Sequence, residues 1–80
     1  EWSLFPNPGN GDFSITYAGT AGPVDLEVLD MDGRIVHAER VAMTKGQAQA
    51  FALAGKLARG LYTVRLLGPG GPAQLRLVVQ

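Results

Sequence analysis

The sequence predicts an all-β sandwich. Three observations carry that prediction. Apolar and polar residues alternate with period two in seven short runs. Clusters of Gly, Pro, Asn and Asp break those runs at intervals of roughly ten residues. No segment sustains the 3.6-residue periodicity that a long helix needs.

Each element has its own justification. Ser3–Phe5 reads as a short first strand, stopped by Pro6 and Pro8, which have no N–H to give to a ladder. Asn10-Gly11 marks a turn, because both residues tolerate positive φ. Asp12–Tyr17 follows, with Phe13, Ile15 and Tyr17 on one face and Ser14 and Thr16 on the other. "AGTAGP" reads as a loop. Val24, Leu26 and Val28 then point inward, and Asp25 and Glu27 outward. "DMDGR" suits a type I turn with Gly33 as the left-handed residue of a G1 bulge. The return strand is expected over Arg34–Val41, with Ala42–Gly46 as a loop. Gln47–Leu53 alternates again on the anchors Phe51 and Leu53. Lys56–Arg59 allows at most one helical turn, with Leu57 tucked beneath it. Gly60–Leu67 sends Tyr62, Val64 and Leu66 inward. "GPGGP" reads as a loop that neither helix nor central strand would tolerate. Leu75, Leu77 and Val79 anchor a last strand that cannot be a loose tail.

Composition bounds the function. Eighty residues make one domain, residues 1–80. Zero net charge argues against nucleic acid as a partner. The absence of cysteine excludes a disulfide framework and a thiolate metal site. No run approaches the ~18 apolar residues of a membrane span. The chain starts at Glu1 without an initiator Met or a signal peptide, so a fragment of a larger protein is expected. All seven acids lie in residues 1–39 with only Arg34 as a base, and the other six bases lie in residues 40–80. Two readings stand side by side. Acidic early strands and basic late strands pair across the surface, for little energy. Alternatively, a basic C-terminal face meets an acidic partner.

The residue inventory points away from catalysis. A triad needs a nucleophile, a base and an orienting group, yet the lone His37 falls in mid-strand and no Ser has a nucleophile-elbow context. The glycines of "GPGGP" lack the Lys and helix of a phosphate loop. A sandwich of this length has little room for the cleft that paired glycosidase carboxylates require. Placing Gly33 at position six of a calcium loop puts Asp30, Asp32 and Glu39 at ligand positions, but Val28 at position one offers no oxygen. The hairpin turn accounts for both aspartates. No cofactor, metal or small-molecule substrate is expected. Trp2 is the lone Trp. It could stack on a sugar ring, or cover an open end of the sandwich. Phe5, Phe13, Tyr17, Phe51 and Tyr62 mostly read as core.

Four blocks in order, "LFPNPGNGDFSI", "VDLEVLDMDGRIV", "LAGKLARGLYTVRL" and the terminal "AQLRLVVQ", resemble the type A C-terminal sorting domains of the type IX (Por) secretion system of Bacteroidota. The resemblance spans nearly the whole chain. It implies a seven-stranded, immunoglobulin-like antiparallel β-sandwich at the end of an exported protein. It also implies a non-catalytic role: a signal that takes its parent from the periplasm across the outer membrane, to surface attachment or release. The implied partners are the type IX translocon and a sortase-like cysteine peptidase, whose cleavage site lies upstream of the first strand. A monomer is expected. Residue by residue, the first motif matches Pro6, Asn7, Pro8, Gly11 and Phe13. The late motif matches Gly60, Tyr62, Val64 and Arg65, and the terminal motif matches Leu75, Leu77, Val78 and Val79. The family often carries Lys in the last strand or at its end. Here Arg76 is the last strand's only base, and Gln80 ends the chain. Arg65 and Arg76 alternate out of phase with the inward anchors, so an exposed basic face for an acidic receptor is expected. The alternative reading is an accessory carbohydrate-binding or cell-attachment module of an extracellular glycosidase, resting on Trp2 and the small sandwich.

Overall fold

Alternation in the sequence becomes alternation in burial, strand by strand. The computed structural model describes residues 2–19 and 21–80. Seven strands account for the order: β1 Trp2–Phe5, β2 Asp12–Tyr17, β3 Gly22–Leu29, β4 Ile35–Met43, β5 Gln49–Ala52, β6 Gly60–Gly68 and β7 Gly71–Val79. They form two antiparallel sheets, ordered β1-β2-β5 and β4-β3-β6-β7. This is a sandwich of the immunoglobulin-like kind, and no helix occurs among the described residues.

The core lies between the sheets. Ile15, Val28 and Val64 are wholly buried at its centre, one each from β2, β3 and β6. Phe13, Val24, Leu26, Leu66 and Leu77 close around them. Burying a side chain of this size stabilises by about 1.5–3 kcal/mol, so these inward positions hold the two sheets together. Phe13 stacks on Phe51, its cross-strand neighbour, with ring centroids 5.2 Å apart. Leu57 is buried beneath the turn that follows Leu53. No charged or polar side chain is buried among the described residues.

The "DMDGR" turn forms as its residues require. The Gly33 N–H donates to Asp30 O at 3.0 Å, and Asp30 Oδ1 accepts from the N–H groups of Asp32 and Arg34, each at 2.9 Å. Asp30 is thus engaged by the hairpin. Gly33 sits at φ +83°, with nothing within 4 Å of where a Cβ would lie. The Cβ of a Gly33→Val exchange therefore meets no neighbour, and backbone strain opposes the change. It is expected to cost about 1–3 kcal/mol, read as a lower denaturant midpoint at unchanged slope.

Several boundaries differ from expectation, for identifiable reasons. β4 runs on to Met43, which is buried, so the expected loop at Ala42 begins two residues later. β3 starts at Gly22 and takes in Pro23, which lies where β3 pairs with β4 and not with β6. β5 is shorter than expected, and Leu53 is buried just beyond its end. β1 includes Trp2. Only Pro69-Gly70 of "GPGGP" turns, because Gly68 and Gly71 already pair across the hairpin. Pro72 fits inside β7 because its register is that of Arg76, whose carbonyl faces away from β6. The N–H that proline lacks therefore falls on the outer edge, where no ladder needs it. Phe5 is 47% exposed, not core, because burial in β1 falls on Trp2 and Leu4.

Candidate functional site

Three of the four matched sequence blocks meet at one hairpin. β6 and β7 pair along their whole length, setting Gly60 against Val79, Tyr62 against Leu77, and Val64 against Leu75. Tyr62, Val64, Leu77 and Val79 are buried, Leu75 is half-buried, and Phe13 of the other sheet is buried in the same core. The Tyr62 hydroxyl sits at the rim and donates to Ala58 O at 2.6 Å, which pins the turn leading into β6. Phe13, Tyr62, Val64, Leu77 and Val79 are therefore built into the fold. Asn7, Arg65 and Arg76 are exposed, and Val78 is half-exposed on the outer face.

The segment after β1 does more than reverse the chain. It lies along the outer edge of β7. Asn7 Nδ2 donates to Arg76 O at 2.7 Å, and Val78 N–H donates to Asn7 Oδ1 at 2.9 Å. Gly9 N–H donates to Val78 O at 3.0 Å, and Gln80 N–H donates to Gly9 O at 2.8 Å. The Gly9–Val79 contact is a parallel bridge. Asn7 repeats that pattern two residues earlier, opposite Leu77, with its side-chain amide replacing its backbone amide. Pro6 and Pro8 flank it and have no N–H to offer. Read as strand-stopping prolines and an Asn10-Gly11 turn, the sequence does not disclose this role. An Asn between two prolines is a visible signal that a side-chain amide substitutes for backbone, but its partner some seventy residues away is not legible locally.

Gly11 secures the other end of this segment. It is buried at φ +111°, and a Cβ there would lie 2.9 Å from Leu53 O and 3.0 Å from Ala54 Cα. Asn10 Oδ1 accepts from Asp12 N–H at 3.0 Å, and Asp12 Oδ1 accepts from Ala54 N–H at 2.9 Å. The turn is thereby tied to the chain leaving β5.

The outer face of the larger sheet corrects the expected basic surface. Arg65 lies on it directly across from Glu27 and donates to Glu27 Oε1 from both Nε, at 2.8 Å, and Nη2. Arg40 approaches Asp25 to 3.6 Å. Acidic β3 thus lies between the bases of β4 and β6, and the charges pair locally. Arg76 has no carboxylate partner among the described residues and is the one free cation of the hairpin. Shallow depressions flank Arg65, one reaching Ala38, Leu67 and Pro72, the other Leu61, Thr63 and Gln74.

The remaining candidates have structural explanations. Trp2 stacks on Tyr17 with centroids 4.0 Å apart and planes 14° apart, so one face of its ring is covered by protein. His37 Nε2 lies 2.7 Å from Glu39 Oε1 on the edge strand, and among the described residues no hydroxyl nucleophile is bonded to it. Among the described residues, no group of three or more His, Asp or Glu side chains is placed to hold a metal ion.

Comparison with known proteins adds the decisive finding. Residues 3–80 match the family described as the secretion system C-terminal sorting domain. No curated protein matches the chain. With the match covering essentially every strand, this chain belongs to the C-terminal sorting domain family, the signal for export across the outer membrane by type IX secretion.

Proposed function

We propose that the secretion machinery reads this domain as a folded surface centred on the β6–β7 hairpin. The convergence of the three matched motifs on that hairpin carries the reading. Phe13, Gly60, Tyr62, Val64, Leu75, Leu77 and Val79 build and register the hairpin. Pro6, Asn7 and Pro8 close its outer edge, and Gly11 ties that segment to the chain leaving β5. Arg76 and Val78 present the surface that is read, while Arg65, neutralised by Glu27, serves the sheet. The domain carries no catalysis of its own. It rides behind an exported cargo, and a sortase-like cysteine peptidase cuts ahead of β1, outside the paired strands.

A reporter exported by the Sec pathway and fused ahead of this domain tests the reading in a type IX-competent bacterium. The reporter is expected at the cell surface or in the medium. Arg76→Gln is expected to lower export several-fold without moving the unfolding midpoint, since Arg76 is exposed and pairs with no acid among the described residues. Arg65→Gln removes only an exposed ion pair worth about 0–1 kcal/mol and is expected to leave export near wild type. Periplasmic retention of the intact fusion, beside export of the same reporter by another sorting domain, would count against the reading as a whole. Equal export of the Arg76 variant would remove Arg76 from it.

A further inference from the structure

We propose that the Asn7–Gly9 segment is a strap that holds shut a strand-pairing edge on β7, and that the ligand this edge takes when the strap lifts is β7 of a second copy. The inference is independent of the export reading. The strap engages four backbone groups on this edge: Arg76 O, Val78 N–H and Val78 O of β7, and Gln80 N–H just beyond its end. The strap is nonetheless a weak strand, because it supplies two backbone partners and one side-chain amide where a true neighbour would supply a continuous ladder.

The edge suits self-pairing about a two-fold axis at Leu77. In that antiparallel register Arg76 lies opposite Val78 of the second copy, and the two exchange both N–H···O bonds, using groups that already face outward. On the inner face, Leu77 meets Leu77 and Leu75 meets Val79, so the apolar layer continues across the junction. On the outer face, the two Arg76 side chains do not oppose each other. Shifting the axis by one residue to Arg76 would set them face to face, which is unfavourable. The opposite edge of the same sheet is a poorer site. β4 carries a bulge at Val36, where the pairing skips from His37 to Ile35, and His37 and Glu39 alternate onto its inner face. Bulges and inward charges are devices that discourage edge pairing.

Sedimentation of the 80-residue chain reads the outcome, with amide exchange as a second measure. The wild type is expected to be monomeric. Asn7→Ala removes two of the four strap bonds and is expected to open the edge about ten- to a hundredfold more often. Faster exchange at Val78 and Gln80, with Tyr62 unchanged, would show opening without global unfolding. The same variant is expected to dimerise. A second change sets the register: in the Asn7→Ala background, Val78→Glu places a carboxylate opposite Arg76 of the other copy twice and is expected to tighten the dimer. Val78→Arg places like charges there and is expected to weaken it. An Asn7→Ala chain that stays monomeric would overturn the proposal. So would a dimer indifferent to the charge at position 78, or Val78 exchange unchanged from wild type.

Discussion

Replacing Gly11 with alanine is expected to cost the domain about 2–5 kcal/mol, a sum of backbone strain and steric overlap. At φ +111° an alanine is strained wherever it sits, and here its Cβ also meets the carbonyl oxygen of Leu53 at 2.9 Å and the Ala54 backbone at 3.0–3.1 Å. Those neighbours cannot swing aside as the end of a long side chain could. The Leu53 carbonyl accepts from Lys56 N–H at 2.9 Å, and Ala54 N–H is held by Asp12. A domain this short buries a modest share of its surface and sits toward the low end of the usual 5–15 kcal/mol. The loss is therefore large enough to leave much of the population unfolded at 37 °C. Chemical denaturation of Gly11→Ala beside Gly33→Ala separates the two causes. The Gly33 variant has the strain without the overlap and is expected to lose only about 1–2 kcal/mol. Equal midpoints for the two would show that the Leu53–Ala54 backbone yields.

The contrast between these glycines shows what the sequence could disclose. "DMDGR" announced its own turn because all its hydrogen-bond partners lie within four residues. The inward faces of β2, β3 and β6 were legible for the same reason, since alternation is a local property. Phe13, Ile15, Tyr17, Val24, Leu26, Val28, Tyr62, Val64 and Leu66 are all buried as their parity requires. Non-local partners were not legible. Nothing near Arg65 says that Glu27 will lie across from it, and nothing near Asn7 points to Arg76 and Val78. "GPGGP" failed differently. Its composition was read as a single loop, but only Pro69-Gly70 is needed to reverse the chain, and Pro72 is accommodated by the outer edge of β7. The turn's Gly70 also has a partner that no local rule supplies, because the Tyr17 hydroxyl occupies the space its Cβ would take.

Removing Leu75–Gln80 is expected to abolish cooperative unfolding and, with it, export of a fused reporter. The deletion takes Leu77 and Val79, 1% and 4% exposed, together with the partly buried Leu75. At about 1.5–3 kcal/mol for each fully buried side chain, the loss approaches the whole stability of a small domain. It also strips β6 of the partners of Gly60, Leu61, Tyr62, Thr63 and Val64, and it leaves the Asn7–Gly9 segment with nothing to bond. A truncated chain that kept a sharp thermal transition and a strand-dominated circular dichroism spectrum would show that six strands suffice. Because the deletion removes fold and recognition surface together, a point change must separate them. Leu77→Ala leaves Arg76 and Val78 in place and opens a cavity at the centre of β7, at an expected cost of about 2–4 kcal/mol. Its export is expected to follow its folded fraction, recovering as the growth temperature is lowered. Arg76→Gln is expected to show the reverse pattern, a normal midpoint with export that cooling does not restore. Retention of Leu77→Ala even where it is fully folded would mean that the inner face of the last strand is itself read by the machinery. Recognition would then act on a chain that is still open.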